Sequence, residues 1–267
     1  MTQAPTRQDC VRIERRGHAL WARLDRAEAL NGLNPSVAEG LHQAMDVAAG
    51  EAGIHALVVT GDGRAFCSGA DLKYLQGDGD GRQPDFSAFL QRVGDVFDRL
   101  EQFPKPVVAA VNGFAVAGGL ELLLCCDLVI AAESAKIGDG HANYGLLPGA
   151  GGSVRLSRKI GITRAKHLLF TGSLVQAREM LNAGLVNQVV PDAELDLAVD
   201  ALVETLAAKS PIALRRTKQL VNDAGETSLP VALRAEQALS ELHRHSYDMA
   251  EGLAAFSEKR GPLFKGC

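Results

Sequence analysis

The sequence predicts an α/β fold, and three observations carry that expectation. Short, wholly apolar runs at 56–60 and 107–111 read as strands buried on both faces. These runs alternate with stretches of helical periodicity, such as 34–48 and 86–103. From residue 194 to residue 264 nearly every segment carries helix signals. With 267 residues, of which 46% are hydrophobic and 22% charged, the chain can bury the core of one large domain or of a domain and a sub-domain.

Taken in order, residues 1–10 read as a flexible tail. Val11–Arg16 and Ala19–Leu24 read as two strands joined at Gly17. Asn34 followed by Pro35 is a helix start, a capping side chain before a proline at the first helical position. That helix should reach about Ala48, with Val37, Leu41, Ala44, Met45 and Ala48 on one face. The strand at 56–60 ends in a loop spanning 61–69, and one or two helical turns follow at 70–75. Residues 76–84 (QGDGDGRQP) read as a loop excursion, either a lid over a pocket or a solvated connector. A helix over 86–103 is stopped by Pro104, and the strand at 107–111 ends in an Asn112-Gly113 turn. A helix follows at 118–126, then strands at 128–132 and 135–137. Beyond Gly152 the segments read as helical, apart from a strand at 185–190. The organisation expected is a tail (1–10), a core domain (11–195) and a helical C-terminal region (196–267).

The balance of charge narrows the function classes. Twenty-eight Lys and Arg against 32 Asp and Glu give a net charge of −4, which counts against a nucleic-acid partner held by phosphate contacts. Aromatic residues are 5%, too few for a stacking platform. No apolar run approaches the roughly 18 residues of a membrane span, and the polar first ten residues lack the apolar core of a secretion signal. Five cysteines without metal-ligand spacing argue against both a disulfide framework and a zinc site. A soluble, cytoplasmic, metal-free protein is expected.

Two glycine-rich segments and one carboxylate stand out as candidate chemistry. Ala117-Gly118-Gly119 follows a buried strand and opens a helix, so its first amides are free to meet a developing oxyanion. Residues 66–72 (FCSGADL) repeat the arrangement, with the Ala70 amide as the free donor. Cys67 and Ser68 lack the context of a nucleophile, and Asp71 reads as a cap. Residues 148–153 (PGAGGS) lack the Lys-Ser/Thr of a P-loop and read as a tight turn feeding the next helix. Glu121 sits in an otherwise apolar helix. It reads either as a first-turn carboxylate satisfying that helix's amides or as a buried acid placed for catalysis.

These segments resemble the signature blocks of the crotonase, or enoyl-CoA hydratase/isomerase, family. Residues 66–72, 112–122 (NGFAVAGGLEL) and 148–156 (PGAGGSVRL) come in the family's order. Ala29-Leu30-Asn31 and residues 251–260 (EGLAAFSEKR) match as well. The resemblance implies a stack of ββα units with a helical C-terminal sub-domain, assembled as a homotrimer or a dimer of trimers through residues 196–267. It implies an acyl-CoA thioester substrate, with coenzyme A belonging to the substrate and no separate cofactor. By the same match, the Ala70 and Gly118 amides form an oxyanion hole for the thioester oxygen. Ala70 and Leu72 line the adenine pocket, and Phe256 and Lys259 touch CoA, in many members from a neighbouring subunit. Glu121 matches one catalytic glutamate of the hydratases. The place of the other, seven residues before Pro148, holds His141, which can serve as acid or base. Tyr144 and Asp139 are weaker candidates for the same pocket. The expected activity is hydration of a 2-enoyl-CoA. The alternatives are double-bond isomerisation, which needs one base, decarboxylation or thioester hydrolysis through the same oxyanion hole, and a catalytically idle CoA-binding scaffold.

Overall fold

The apolar runs form the middle of a parallel sheet, because a strand buried on both faces must be apolar or, as at Thr60, have its hydroxyl bonded to a neighbouring strand. β4 (Ala56–Gly61) and β6 (Val107–Val111) are buried along their whole length. A computed structural model describes residues 6–8, 10–77 and 84–267 of the chain. The remaining strands are β1 (Thr6–Gln8), β2 (Val11–Arg16), β3 (Ala19–Leu24), β5 (Ala65–Cys67), β7 (Phe114–Val116), β8 (Leu128–Ala132), β9 (Lys136–Gly138), β10 (Leu174–Gln176) and β11 (Gln188–Val190). Among the described residues they form two sheets. The larger has seven strands in the order β1-β2-β3-β4-β6-β8-β11, antiparallel from β1 to β3 and parallel from β3 onward. The smaller has four in the order β10-β9-β7-β5, parallel except between β10 and β9.

The helices are α1 (Pro35–Gly50), α2 (Leu72–Gln76), α3 (Phe86–Glu101), α4 (Gly118–Leu124), α5 (Gly152–Ile160), α6 (Ile162–Thr171), α7 (Ala177–Asn182), α8 (Leu195–Ala207), α9 (Pro211–Ala224), α10 (Leu229–His243) and α11 (Tyr247–Glu258). The Asn34 side chain accepts the Val37 amide at 2.9 Å, so α1 starts where its cap and proline place it. Its face of Val37, Leu41, Ala44, Met45 and Ala48 is buried against β2, β3 and β4. Beside it α3 buries Phe89, Val93, Val96, Phe97 and Leu100.

Several boundaries differ from the sequence reading. The expected loop at 61–69 contains β5, the turn at 112–113 leads into β7, and β10 lies in a stretch read as helical. Each of these strands has three residues, too short for alternation to register. The strand expected at 185–190 is confined to Gln188–Val190. Within the expected tail, Thr6–Gln8 has strand backbone paired with β2. Of the excursion read at 76–84, residues 78–83 lie outside the described residues.

The first helix after the expected division at 195/196 packs on the large sheet. Helix α8 buries Leu195, Val199 and Val203 and packs on β4, β6 and β8, so it belongs to the core. Arg16 and Arg23 reach its Asp196, and Arg16 also reaches Asp200, while the Arg16 guanidinium lies 4.3 Å from the Trp21 ring centroid. Helix α9 then begins at Pro211, after the Ser210 cap. Neither α9 nor α10 has a buried residue. A cavity of about 430 Å³ lies between α9 and the core, lined by Leu124, Leu128, Leu214, Val221 and others. Lys218 spans this edge to Asp127 at 2.7 Å. Among the described residues no helix is long and apolar enough to cross a membrane.

Candidate active site

Three parallel strands of the small sheet, β5, β7 and β9, lie side by side, and the chain leaving each carries a candidate group. Beyond β5 come Gly69 and Ala70. Leu33 donates to the Gly69 carbonyl at 2.7 Å and accepts from the Asp71 amide at 2.8 Å. This parallel bridge uses the groups flanking Ala70 and turns the Ala70 N–H away from Leu33. Asp71 is held in turn. Its Oδ2 accepts from Arg26 Nη2 at 2.7 Å, and its Oδ1 caps α2 through the Lys73 and Tyr74 amides. The cap reading of Asp71 agrees with this geometry.

Beyond β7 the chain passes through Ala117 at φ 53°, ψ −118°, a conformation that costs an alanine strain. The Ala117 amide donates to the Gly138 carbonyl of β9 at 3.1 Å, which helps hold the turn in place. Helix α4 then starts at Gly118. A methyl group on Gly118 would lie 3.5 Å from the Ala70 nitrogen, and one on Gly69 would lie 3.1 Å from the Gly118 nitrogen. The two segments are thus in contact. Among the described residues neither the Ala70 nor the Gly118 amide has an acceptor. Two unused, adjacent N–H groups at helix starts are the donor set that an oxyanion requires.

Glu121 is 3% exposed. Its Oε1 accepts the Ala150 amide at 2.8 Å and the Gly152 amide at 2.9 Å. The carboxylate therefore serves the N-terminus of α5, not of its own helix. The segment 148–153 gains a function the sequence did not disclose. Gly152 leaves room for the Glu121 side chain, which a methyl group there would approach to 3.1 Å. No donor among the described residues reaches Oε2. Burial pushes the Glu121 carboxyl above the usual range, against the lowering effect of the two amides and of His141, while Asp139 adds to the rise. An acid raised in this way, with one oxygen fixed and one unbound, is suited to moving a proton.

Beyond β9 come Asp139 and His141, the latter opening a 3-10 turn at His141–Tyr144. His141 Nδ1 lies 2.8 Å from Asp139 Oδ1, and the His141 amide donates to Asp139 Oδ2 at 3.1 Å. Burial pulls the imidazolium down, but the Asp139 hydrogen bond and charge, together with the charge of Glu121, outweigh it, and the net shift is upward. His141 and Glu121 thus feel each other across the site.

The other sequence candidates lie outside this group. Leu72 is 53% exposed at the start of α2, Tyr144 is 79% exposed and Phe256 on α11 is 85% exposed. Lys259 caps α11 in a left-handed conformation. No hydrogen bond or ion pair joins Phe256 or Lys259 to Ala70, Gly118, Glu121 or His141 within the chain. Cys67 is buried and its thiol is pushed up to about 12 by burial, an inert packing group. Among the described residues no cluster of three or more His, Cys, Asp or Glu is placed to hold a metal.

The family model described as enoyl-CoA hydratase/isomerase matches residues 17–267. A 2,3-dehydroadipyl-CoA hydratase from Escherichia coli (strain K12) is 36% identical over 95% of this chain and 98% of its own length. A crotonyl-CoA hydratase from Syntrophomonas wolfei is 36% identical over 90% of this chain and 92% of its own. A crystal structure of an enoyl-CoA hydratase from Bacillus anthracis superposes with a TM-score of 0.91 at 36% identity, covering 97% of this chain and 100% of that one.

Proposed function

The chain belongs to the enoyl-CoA hydratase/isomerase family, and from that premise we propose that it hydrates a 2-enoyl-CoA to a 3-hydroxyacyl-CoA. The observation that carries the reading is a buried carboxylate, Glu121, with one oxygen anchored by two amides and the other unbound. In this reading the Ala70 and Gly118 amides take the thioester oxygen and stabilise the enolate that forms when water attacks. Glu121 accepts the water's proton through Oε2 as the hydroxyl joins Cβ. His141 gives a proton to Cα, which collapses the enolate to the saturated thioester. The proton on Glu121 then returns to the imidazole, and the site is reset. Coenzyme A enters and leaves with the substrate, its adenine against Ala70 and Leu72.

Assembly completes the reading. The faces of α10 and α11 expose Leu229, Leu233, Leu242, Leu253 and Phe256, an apolar surface of the kind that covers itself in an oligomer. A homotrimer or a dimer of trimers built on residues 196–267 would also let Phe256 and Lys259 reach CoA in a neighbouring subunit. Sedimentation at micromolar concentration should show no monomer. A cytoplasmic location accords with the buried thiols of Cys67, Cys125 and Cys126, none of which is in a disulfide.

The deciding experiment offers the enzyme a panel of 2-enoyl-CoA and 3-enoyl-CoA thioesters and identifies the products. Hydration predicts a 3-hydroxyacyl-CoA from the 2-enoyl substrates. Conversion of a 3-enoyl-CoA to its 2-enoyl isomer without water addition would replace this reading with isomerisation by Glu121 alone. Free coenzyme A as product would point to thioester hydrolysis. No turnover on any thioester would leave a binding scaffold.

A further inference from the structure

We propose that Asp139 is a positioning residue that holds the His141 imidazole with a proton on Nδ1, so that Nε2 is the nitrogen that exchanges protons with the substrate. The proposal rests on the reading of His141 as the proton donor.

Asp139 is 1% exposed. A carboxylate taken that far from water needs compensation. Among the described residues its side chain is bonded by one residue only. Oδ1 meets His141 Nδ1 at 2.8 Å and Oδ2 accepts the His141 amide at 3.1 Å. Among the described residues no Lys or Arg is paired with it. The buried charge is committed wholly to the histidine two residues on.

Local geometry makes that commitment possible. Gly140, between the two, has φ +73°, a left-handed conformation open to glycine at little strain. A methyl group there would come within 2.9 Å of Val116 Cγ1 on β7. The turn brings the ring of His141 back onto the carboxylate of Asp139. A carboxylate only accepts, so the ring nitrogen facing it must carry a hydrogen. The proton shared with substrate is then the one on Nε2. In the proposed step Nε2–H⁺ releases its proton to Cα and Nε2 keeps the electron pair. Nδ1–H stays on Asp139 throughout, and Nε2 is recharged by the proton that Glu121 took from water.

Replacing Asp139 with Asn tests the tautomer directly. Two N–H donors then face one oxygen and one NH₂ group. The backbone N–H of His141 can only donate, so it claims the oxygen. The NH₂ is left against Nδ1, which must become an acceptor, and the ring proton moves to Nε2. A carboxylate replaced by an amide beside a catalytic histidine acts in this way. Asp139→Asn should keep KM within about twofold and lower kcat for 2-enoyl-CoA hydration on the order of 10²–10⁴-fold. Nitrogen NMR of ¹⁵N-histidine protein, above the pH at which the ring is neutral, should show Nδ1–H in the parent and Nε2–H in the variant. The parent spectrum needs no variant to fold, and a parent ring protonated on Nε2 overturns the proposal. So does an Asp139→Asn enzyme with parental kcat when His141→Ala has lost activity. Parental activity in His141→Ala is a separate result. It sinks the histidine as donor, and the positioning role falls with it, while the Glu121 chemistry remains to be judged on its own variants.

Discussion

The two sheets of this protein are held by different contacts. In the seven-stranded sheet every residue of β4 and β6 is buried, and side chains fill the space to α1 on one side and α8 on the other. The four-stranded sheet also buries side chains such as Phe66 and Ile137, but around it backbone meets backbone at several points. A methyl group added at Gly119 would lie 1.9 Å from the Cys67 carbonyl oxygen, and one at Gly138 would lie 2.1 Å from that of Ser173. The large sheet carries the mass of the core. The small one aligns the chain leaving β5, β7 and β9, and so brings Ala70, Gly118, Glu121 and His141 together. Close backbone approach is a suitable device there under the proposed function, in which amides rather than side chains meet the substrate oxygen.

If this division holds, substitutions at the small sheet's ends should damage catalysis and those in the large sheet should damage stability. The largest effect is expected at Glu121→Gln. The amide oxygen can still accept from Ala150 and Gly152, so the fold and CoA binding persist. The acceptor for the water's proton is lost, and kcat should fall roughly 10²–10⁴-fold. Steady-state kinetics beside thermal unfolding would show the split. Leu57→Ala is the opposite case. Leu57 is fully buried in β4, and its truncation should destabilise by about 2–5 kcal/mol with kcat per folded molecule unchanged. Denaturant titration measures the first quantity and active-site titration the second.

Gly119→Ala tests the close approach itself. The added methyl forces α4 away from Cys67, at a cost of about 1–3 kcal/mol. Because α4 carries the Gly118 amide, activity should fall further than stability does. A variant that loses stability alone would break the comparison.

The smallest effect concerns pH. The folded-state pKa of His141 is raised: burial opposes the rise, and the Asp139 bond and the Asp139 and Glu121 charges drive it. A base raised above its unfolded value of about 6.5 contributes stability that is complete below that value. The contribution is lost as pH climbs through the folded value. The stability margin of the parent over His141→Ala should therefore shrink on the alkaline side of pH 6.5. A margin that grows with pH would contradict the charge environment described here.

Much of this molecule was legible without coordinates. The cap at Asn34, the apolar runs at 56–60 and 107–111 and the helix opened by Gly118 are local patterns, and the structure keeps them nearly residue for residue. The signature blocks picked out Ala70, Gly118, Glu121 and His141 as a set. The short strands β5, β7 and β10 were not legible, since three residues offer no period to read. Nor was the allegiance of α8, whose apolar face is equally consistent with a core helix and with a separate helical unit.

What the sequence determined by itself is therefore the class of fold, which follows from interactions between neighbours along the chain, such as capping, burial periodicity and glycine-permitted turns. The candidate reactive groups were named as a set by the resemblance of the signature blocks. Only the tertiary structure decided what each reactive group is bonded to. The Glu121 carboxylate caps a helix that begins about 30 residues later, and the Ala70 amide comes to the Gly118 amide across nearly 50. Such pairings depend on how strands stack, and no local pattern encodes which distant amide a carboxylate will find. Asp139 is the instructive middle case. It stands two residues from His141, yet its proposed role becomes visible only once the fold buries it and, among the described residues, leaves the ring and amide of His141 as the groups bonded to its carboxylate.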